Sequence, residues 1–311
     1  MVKNSMKKSE LIKQKAISLG FSACGISQSG KLEEDEVYLK NFLEKGFQGN
    51  LKYLETNFDK RVDTSLLVEG SKSVISVLIN YYPGVLQEGE NIPLISKYAY
   101  GEDYHPVIKE KLYELLNFIN KEISPAKGRA FVDSAPILEK ARAVKAGLGW
   151  IGKNGLLINK ELGSFLFIGE LIVDIELEYD EPFIGENCGS CTKCIEACPT
   201  SALAKPHILN ASKCLSYLTN NKDVELNDGL KEKIGRRIYC CDTCQDVCPW
   251  NKNIKHHNIE QFMILKEVQF PDIKRFKGMD EEEFNRVFDK SAIKWIGYDK
   301  FRKNILFVFP D

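Results

Sequence analysis

Two hydrophobic rhythms alternate along the first 180 residues. Over 6–19, Leu11, Ile12, Ala16 and Leu19 return at helical spacing and predict an amphipathic helix. DEVYLKNFLEKG keeps the same period, and a further helical pattern runs over 105–123. Between them SVISVLIN at 73–80 is mostly apolar and predicts a buried strand, and GRAFVD predicts a second, shorter one. Two more strands are expected at 155–159 and 164–176, on either side of the turn KELGS. DSAPILEKARAVKAGLGWIG reads as a helix with Asp133 or Ser134 as N-cap, Pro136 in the first turn and Gly147 at its end. This order of elements predicts a mixed α/β (α+β) domain.

Near residue 180 the long apolar stretches give way to loops, cysteines and charged helical segments, which places a domain boundary there. The expected division is 1–178, 179–255 and 256–311. A chain of 311 residues exceeds what one core usually needs. Forty-three basic against forty-four acidic side chains give a formal charge of -1, so no global field recruits nucleic acid or membrane. The N-terminal lysines precede an amphipathic helix rather than a continuous apolar run, and no stretch is long enough to span a bilayer. A cytoplasmic location is expected, where thiols stay reduced, so the ten cysteines read as metal ligands rather than disulfides.

Cys24 stands alone and reads as a small buried residue in an apolar turn. The others begin with ENCGSCTKCIEACPTSAL, which sets Cys188, Cys191, Cys194 and Cys198 in a C-x2-C-x2-C-x3-C-P run. Structural zinc prefers two separated pairs and fits poorly. The run matches the bacterial ferredoxin pattern, in which three thiolates hold one 4Fe-4S cluster and the fourth reaches a second. The later group, RRIYCCDTCQDVCPW, also ends in Cys-Pro. Counting the same spacing back from Cys248 gives Cys244, Cys241 and then position 238, which is Ile238. The missing ligand must be Cys214 or the out-of-register Cys240, and Cys214 is the expected one. One cluster is then expected on Cys188, Cys191, Cys194 and Cys248, and the other on Cys198, Cys214, Cys241 and Cys244. Cys240 becomes a non-ligand near bound cofactor.

Two clusters form an electron conduit and need an acceptor. GLGWIG, with Gly147, Gly149 and Gly152, satisfies G-x-G-x-x-G, but a helix precedes it and a strand follows, the reverse of the dinucleotide fingerprint. Those glycines suit a tight turn or close approach to a large planar ligand.

FVDSAPILEKARAVKAGLGWIGKNGLLIN, SKYAYGEDYHPVIKEKL, the ferredoxin run and CCDTCQDVCPWNK together resemble the epoxyqueuosine reductase family over most of 10–305. The resemblance implies a nitroreductase-like cobalamin domain, a ferredoxin-like domain with two 4Fe-4S clusters, and a short helical C-terminal segment where longer members carry HEAT-like repeats. It implies removal of the epoxide oxygen of epoxyqueuosine in tRNA, with reduced cobalamin opening the ring and the clusters feeding it electrons from an external low-potential donor. By its place in FVDSAP, Asp133 is then the proton donor; without the resemblance, a helix cap is the plainer reading. Arg61, Tyr98, Asp133, Lys153, Asn154 and Gly155 lie in family segments and are the implied cobalamin contacts. DYH at 103–105 begins like a cobalt-ligating D-x-H-x-x-G motif, but Ile108 replaces its glycine, so His105 reads as a helix-start residue. Residues 199–311 hold nineteen basic and sixteen acidic side chains, and Lys231, Arg236, Arg237, Lys252, Lys274 and Arg275 are the expected tRNA contacts. No membrane partner is expected. An electron-transfer module and a flavin reductase fused to a ferredoxin are the competing readings. The first leaves the DSAP segment without a task, and the second rests on fold analogy.

Overall fold

The computed structural model describes residues 7–310. The chain divides into two compact units, Met1–Asn80 with His105–Gly189, and Tyr81–Tyr104 with Ser190–Asp311. The sequence reading kept 81–104 with the first part and 256–311 apart; the fold joins both to the cysteine-rich segment.

The first unit is built on a four-stranded sheet in the order Ala23–Gln28, Ser73–Asn80, Leu166–Val173, Gly128–Phe131. Every pairing is antiparallel, so the α+β description is the one that applies. All eight residues of Ser73–Asn80 are buried, because helices cover both faces of this central strand. The period of two sorts the contacts. Leu78 clusters with Ala143 of the helix Glu139–Lys145 on one face. Gly169, opposite Val77, takes the helix Tyr104–Phe118 on the other; a Cβ there would stand 2.7 Å from Ile108 Cγ2. The N-terminal helix Lys8–Ser18 buries Ile12 and Ala16, two of the four residues its period singled out.

Three expectations need correction. The helix after DSAP begins only at Glu139, with Leu138 at its N-cap position. Pro136 disfavours helical geometry at Ala135, which keeps the chain up to that residue out of the helix, and Leu138 is itself non-helical, with φ -88° and ψ 71°. The strands flanking KELGS part company: Leu157–Ile158 pairs with Trp150–Ile151, whereas Leu166–Val173 enters the main sheet. The turn between them is closed by reciprocal hydrogen bonds of 2.9 and 3.0 Å between Asn159 and Gly163. Cys24 lies on the edge strand Ala23–Gln28 rather than in a turn, and burial pushes its thiol up to about 12.

The second unit has little regular sheet. Leu94–Ile95 pairs in parallel with Arg237–Tyr239, which brings Ile238 and Tyr239 into an aromatic core with Phe276, Phe284, Phe288 and Phe301. The last two phenylalanine-bearing helices, Glu281–Val287 and Gly297–Val308, therefore close the core behind the cysteine-bearing segment. Asp280 caps the first of them, its carboxylate accepting the Glu283 N–H at 2.8 Å. Among the described residues no helix is long and apolar enough to cross a membrane.

Candidate active site and cluster-binding region

Asp133 follows the buried Phe131 and Val132 at the end of a sheet strand and takes a left-handed backbone, φ 50°. The N-cap position of the next helix, Glu139–Lys145, is Leu138 rather than Asp133. The Asp133 side chain is 63 % exposed, with Oδ2 3.5 Å from Nε2 of His105, the second residue of the helix Tyr104–Phe118. The reading of His105 as a helix-start residue holds, and that position also aims its ring at Asp133. The Asp133 N–H donates to Glu139 Oε1 at 2.6 Å. Glu139 is half-buried, and burial, with the Asp133 charge second, pushes its carboxyl up to about 8.

Arg61 is buried, donating from Nη2 to the Tyr53 carbonyl at 2.8 Å with its guanidinium 5.6 Å from the Tyr53 ring centroid. Its Nε has no partner. Tyr53, 58 % exposed, feels the charge of Asp133. Asn154 is likewise buried; its Oδ1 accepts the Leu156 N–H at 3.2 Å, and its Nδ2 has no partner. Buried donors are normally satisfied, so two orphans in two expected contact segments mark places suited to an added acceptor. Gly155 has φ 76° with open space where a Cβ would point, and its carbonyl accepts from Lys140 Nζ at 2.7 Å. Lys153 is buried and donates to the Gly189 carbonyl. Gly149 serves the chain itself: a Cβ there would meet the Ile158 carbonyl oxygen at 2.1 Å, which accounts for one glycine of GLGWIG without a ligand. Tyr98 belongs to the second unit, where its hydroxyl meets Tyr239 Oη at 2.8 Å and Cys240 Sγ at 3.4 Å. Sequence reasoning missed Tyr53 and Glu139, because neither sits in a spacing pattern that singles it out.

None of the ten cysteines, all among the described residues, is in a disulfide. Cys194 and Cys244 lie on matching helical turns, Lys193–Glu196 and Thr243–Asp246, and the Cys198 and Cys248 N–H groups close those turns on Ile195 and Gln245. Cys214 precedes the helix Leu215–Asn220, whose Ser216 and Tyr217 N–H groups donate to its sulfur. Burial raises the Cys244 thiol, and the charges of Cys214, Cys241 and Cys194 raise it further. Cys214, Cys241 and Cys194 all act on Cys244, so this influence does not sort the thiols into two sets, and among the described residues no group of three or more His, Cys, Asp or Glu is arranged to hold a metal ion; bound iron would reverse the local preference and stabilise thiolates. The Cys240 thiol instead meets Tyr98 and the Ser216 carbonyl, 3.9 Å away, from a left-handed backbone with φ 54°.

Of the expected tRNA contacts, Arg236, Lys252 and Lys274 are exposed. Lys231 is also exposed and pairs with Asp228 at 2.9 Å. Arg237 bonds the Ile234 carbonyl and Thr243 Oγ1, and Arg275 is held by Glu283 and Glu267.

A family model described as Epoxyqueuosine reductase QueG, DUF1730 matches residues 61–134, and one described as a 4Fe-4S double cluster binding domain matches 187–251. The chain is 46 % identical over 303 residues to an epoxyqueuosine reductase of Cyclobacterium marinum, covering 97 % of each chain. To that of Escherichia coli it is 38 % identical, covering 94 % of this chain and 78 % of the other. Among solved structures, an epoxyqueuosine reductase with a tRNA-Tyr epoxyqueuosine-modified stem loop superposes with a TM-score of 0.90 at 31 % identity, covering 96 % of this chain and 80 % of that one. An epoxyqueuosine reductase from Streptococcus thermophilus gives a TM-score of 0.89 at 31 % identity, covering 97 % and 81 %.

Proposed function

The chain belongs to the epoxyqueuosine reductase family, and on that premise we propose that it removes the epoxide oxygen of epoxyqueuosine at the tRNA wobble position. The step takes two electrons and two protons and leaves the alkene of queuosine and one water. The observation that carries the reading is the placement of Asp133: a left-handed turn at the end of a sheet strand holds its carboxyl exposed beside His105, where a proton donor can reach a reacting atom.

Two 4Fe-4S clusters fit the thiols. We assign the first to Cys188, Cys191, Cys194 and Cys248 and the second to Cys198, Cys214, Cys241 and Cys244, both on spacing. When bound, the clusters would supply single-electron transfer from an external low-potential donor. Cobalamin, when bound, supplies the strongly reducing centre that opens the epoxide. In a nitroreductase-like first domain its amide and phosphate groups would meet the partnerless donors of Arg61 and Asn154, with Gly155 leaving room for close approach. Lys153 and Tyr98 belong to the same proposal, although both already make protein contacts.

The residues' tasks follow from these positions. Asp133 gives its proton to the oxygen as the carbon–oxygen bond breaks, and His105 orients that carboxyl from 3.5 Å. Arg236, Lys252, Lys274 and Lys231 attract tRNA phosphates; Arg237 and Arg275 are tied to protein partners and contribute less. The setting is the cytoplasm. Anaerobic reconstitution tests the cofactor assignment: about eight iron atoms and one corrinoid per chain are expected, the iron from two four-iron clusters. Stoichiometric flavin with no corrinoid would replace this reading with a flavin-dependent reductase.

A further inference from the structure

Glu139 is the first residue of the helix Glu139–Lys145, a position where a carboxylate ordinarily serves the helix's own N-terminal N–H groups. Here its Oε1 reaches outside the helix and accepts the N–H of Asp133, six residues earlier, at 2.6 Å. In the intervening chain Ile137 is buried with Phe131, Val74 and Ile172, and Ala135 packs against that cluster. Before that anchor the Ser134 N–H bonds back to the Val132 carbonyl, and the Asp133 and Ser134 side chains are exposed. A left-handed residue bearing a Cβ persists where its surroundings hold it, and at Asp133 the Glu139 bond spans from the loop to a packed helix.

We propose that Glu139 is the positioning residue of the Asp133 turn: its side-chain carbonyl takes the Asp133 N–H, fixes the left-handed backbone and so aims the carboxyl at the reacting oxygen. This rests on the reading of Asp133 as the acid. Around Glu139 stand Asp133 on the turn, His105 on the facing helix, its neighbour Lys140, Arg61 and the buried Glu170. Burial favours the protonated carboxyl to about 8, so at neutral pH it keeps an accepting carbonyl oxygen. Glutamine keeps that acceptor. Methionine keeps the length and packing and removes the acceptor.

The test compares wild type, Glu139→Gln, Glu139→Met and Asp133→Asn in the full chain reconstituted with iron–sulfur clusters and cobalamin. Two quantities are read: hydrogen exchange of the Asp133 amide, and single-turnover conversion of epoxyqueuosine in tRNA by chemically reduced protein. Glu139→Met is expected to speed amide exchange and to slow conversion roughly ten- to a hundred-fold, the range for a catalytic group displaced by about an ångström, with iron and corrinoid content unchanged. Glu139→Gln is expected to restore both. Wild-type exchange and rate in Glu139→Met, with Asp133→Asn inactive, overturn the positioning role and leave the acid in place. A wild-type rate in Asp133→Asn overturns the acid itself and the positioning proposal with it.

Discussion

The segments 191–199 and 241–249 repeat one pattern at an offset of fifty residues, Cys-x2-Cys-x3-Cys-Pro, each with one helical turn closed by the last cysteine's N–H. They differ three residues upstream. The first segment has Cys188 there; the second has Ile238, fully buried in the strand Arg237–Tyr239 and packed in the aromatic core. Neighbouring contacts tie the second segment down further, since Asp242 accepts from Ser96 Oγ and, at 2.8 Å, from the Lys97 N–H. A local repeat can place three thiols, but the fourth position is open to a ligand only where the core does not claim it. In the second segment the core claims it, and Cys214 at a helix start is the thiol we propose for the vacated role.

The largest effect expected from breaking this comparison is at Cys214. Cys214→Ala should lower iron from about eight to about four atoms per chain and abolish turnover, while Cys240→Ala keeps the full complement. Iron analysis of the two reconstituted variants decides between them, and equal loss from both would dissolve the register argument. Next in size is Asp133→Asn, which separates proton supply from electron supply: iron and corrinoid should stay at wild-type levels while single-turnover conversion falls by roughly two to four orders of magnitude.

Smaller effects sharpen the contrast. Ile238→Cys restores the register on paper but removes a fully buried side chain, so it should destabilise the second unit by roughly 1–3 kcal/mol, as truncations of buried aliphatic residues do. It should also fail to return iron to Cys214→Ala. Thermal melting and iron content measure the two outcomes, and recovered iron would show that the core does not bar a ligand there. The smallest effect is on pH dependence. Glu139 ordinarily titrates near 4.5 and is raised to about 8 in the fold, so across that window the folded state holds a proton that the unfolded chain has released. Stability from this group therefore decreases as pH rises from about 4.5 to about 8 and levels off above. Melting temperatures of wild type and Glu139→Gln should diverge in favour of the Gln variant between pH 6 and roughly 8, and parallel curves would remove the effect.

Spacing made the cysteine region legible, down to the gap at Ile238, because cluster ligation is encoded in short, fixed intervals. The central sheet strand was legible for a different reason: Ser73–Asn80 is a mostly apolar run. The active site was not. DSAP offers every local sign of a helix start, yet the helix begins only at Glu139, and only the fold brings His105 and Glu139 to Asp133. Asp133 itself was named through family resemblance, since its own sequence context favours a cap. The pairing of Leu94–Ile95 with Arg237–Tyr239, which draws 81–104 into the second unit, leaves no periodic trace at all.

The central claim meets its most direct test in one reaction: reconstituted, chemically reduced protein mixed in excess with tRNA carrying epoxyqueuosine, and the modified nucleoside analysed after a single turnover. Conversion to queuosine that requires added cobalamin is the predicted result. Intact epoxyqueuosine after incubation with protein that carries its full iron and corrinoid would contradict the account.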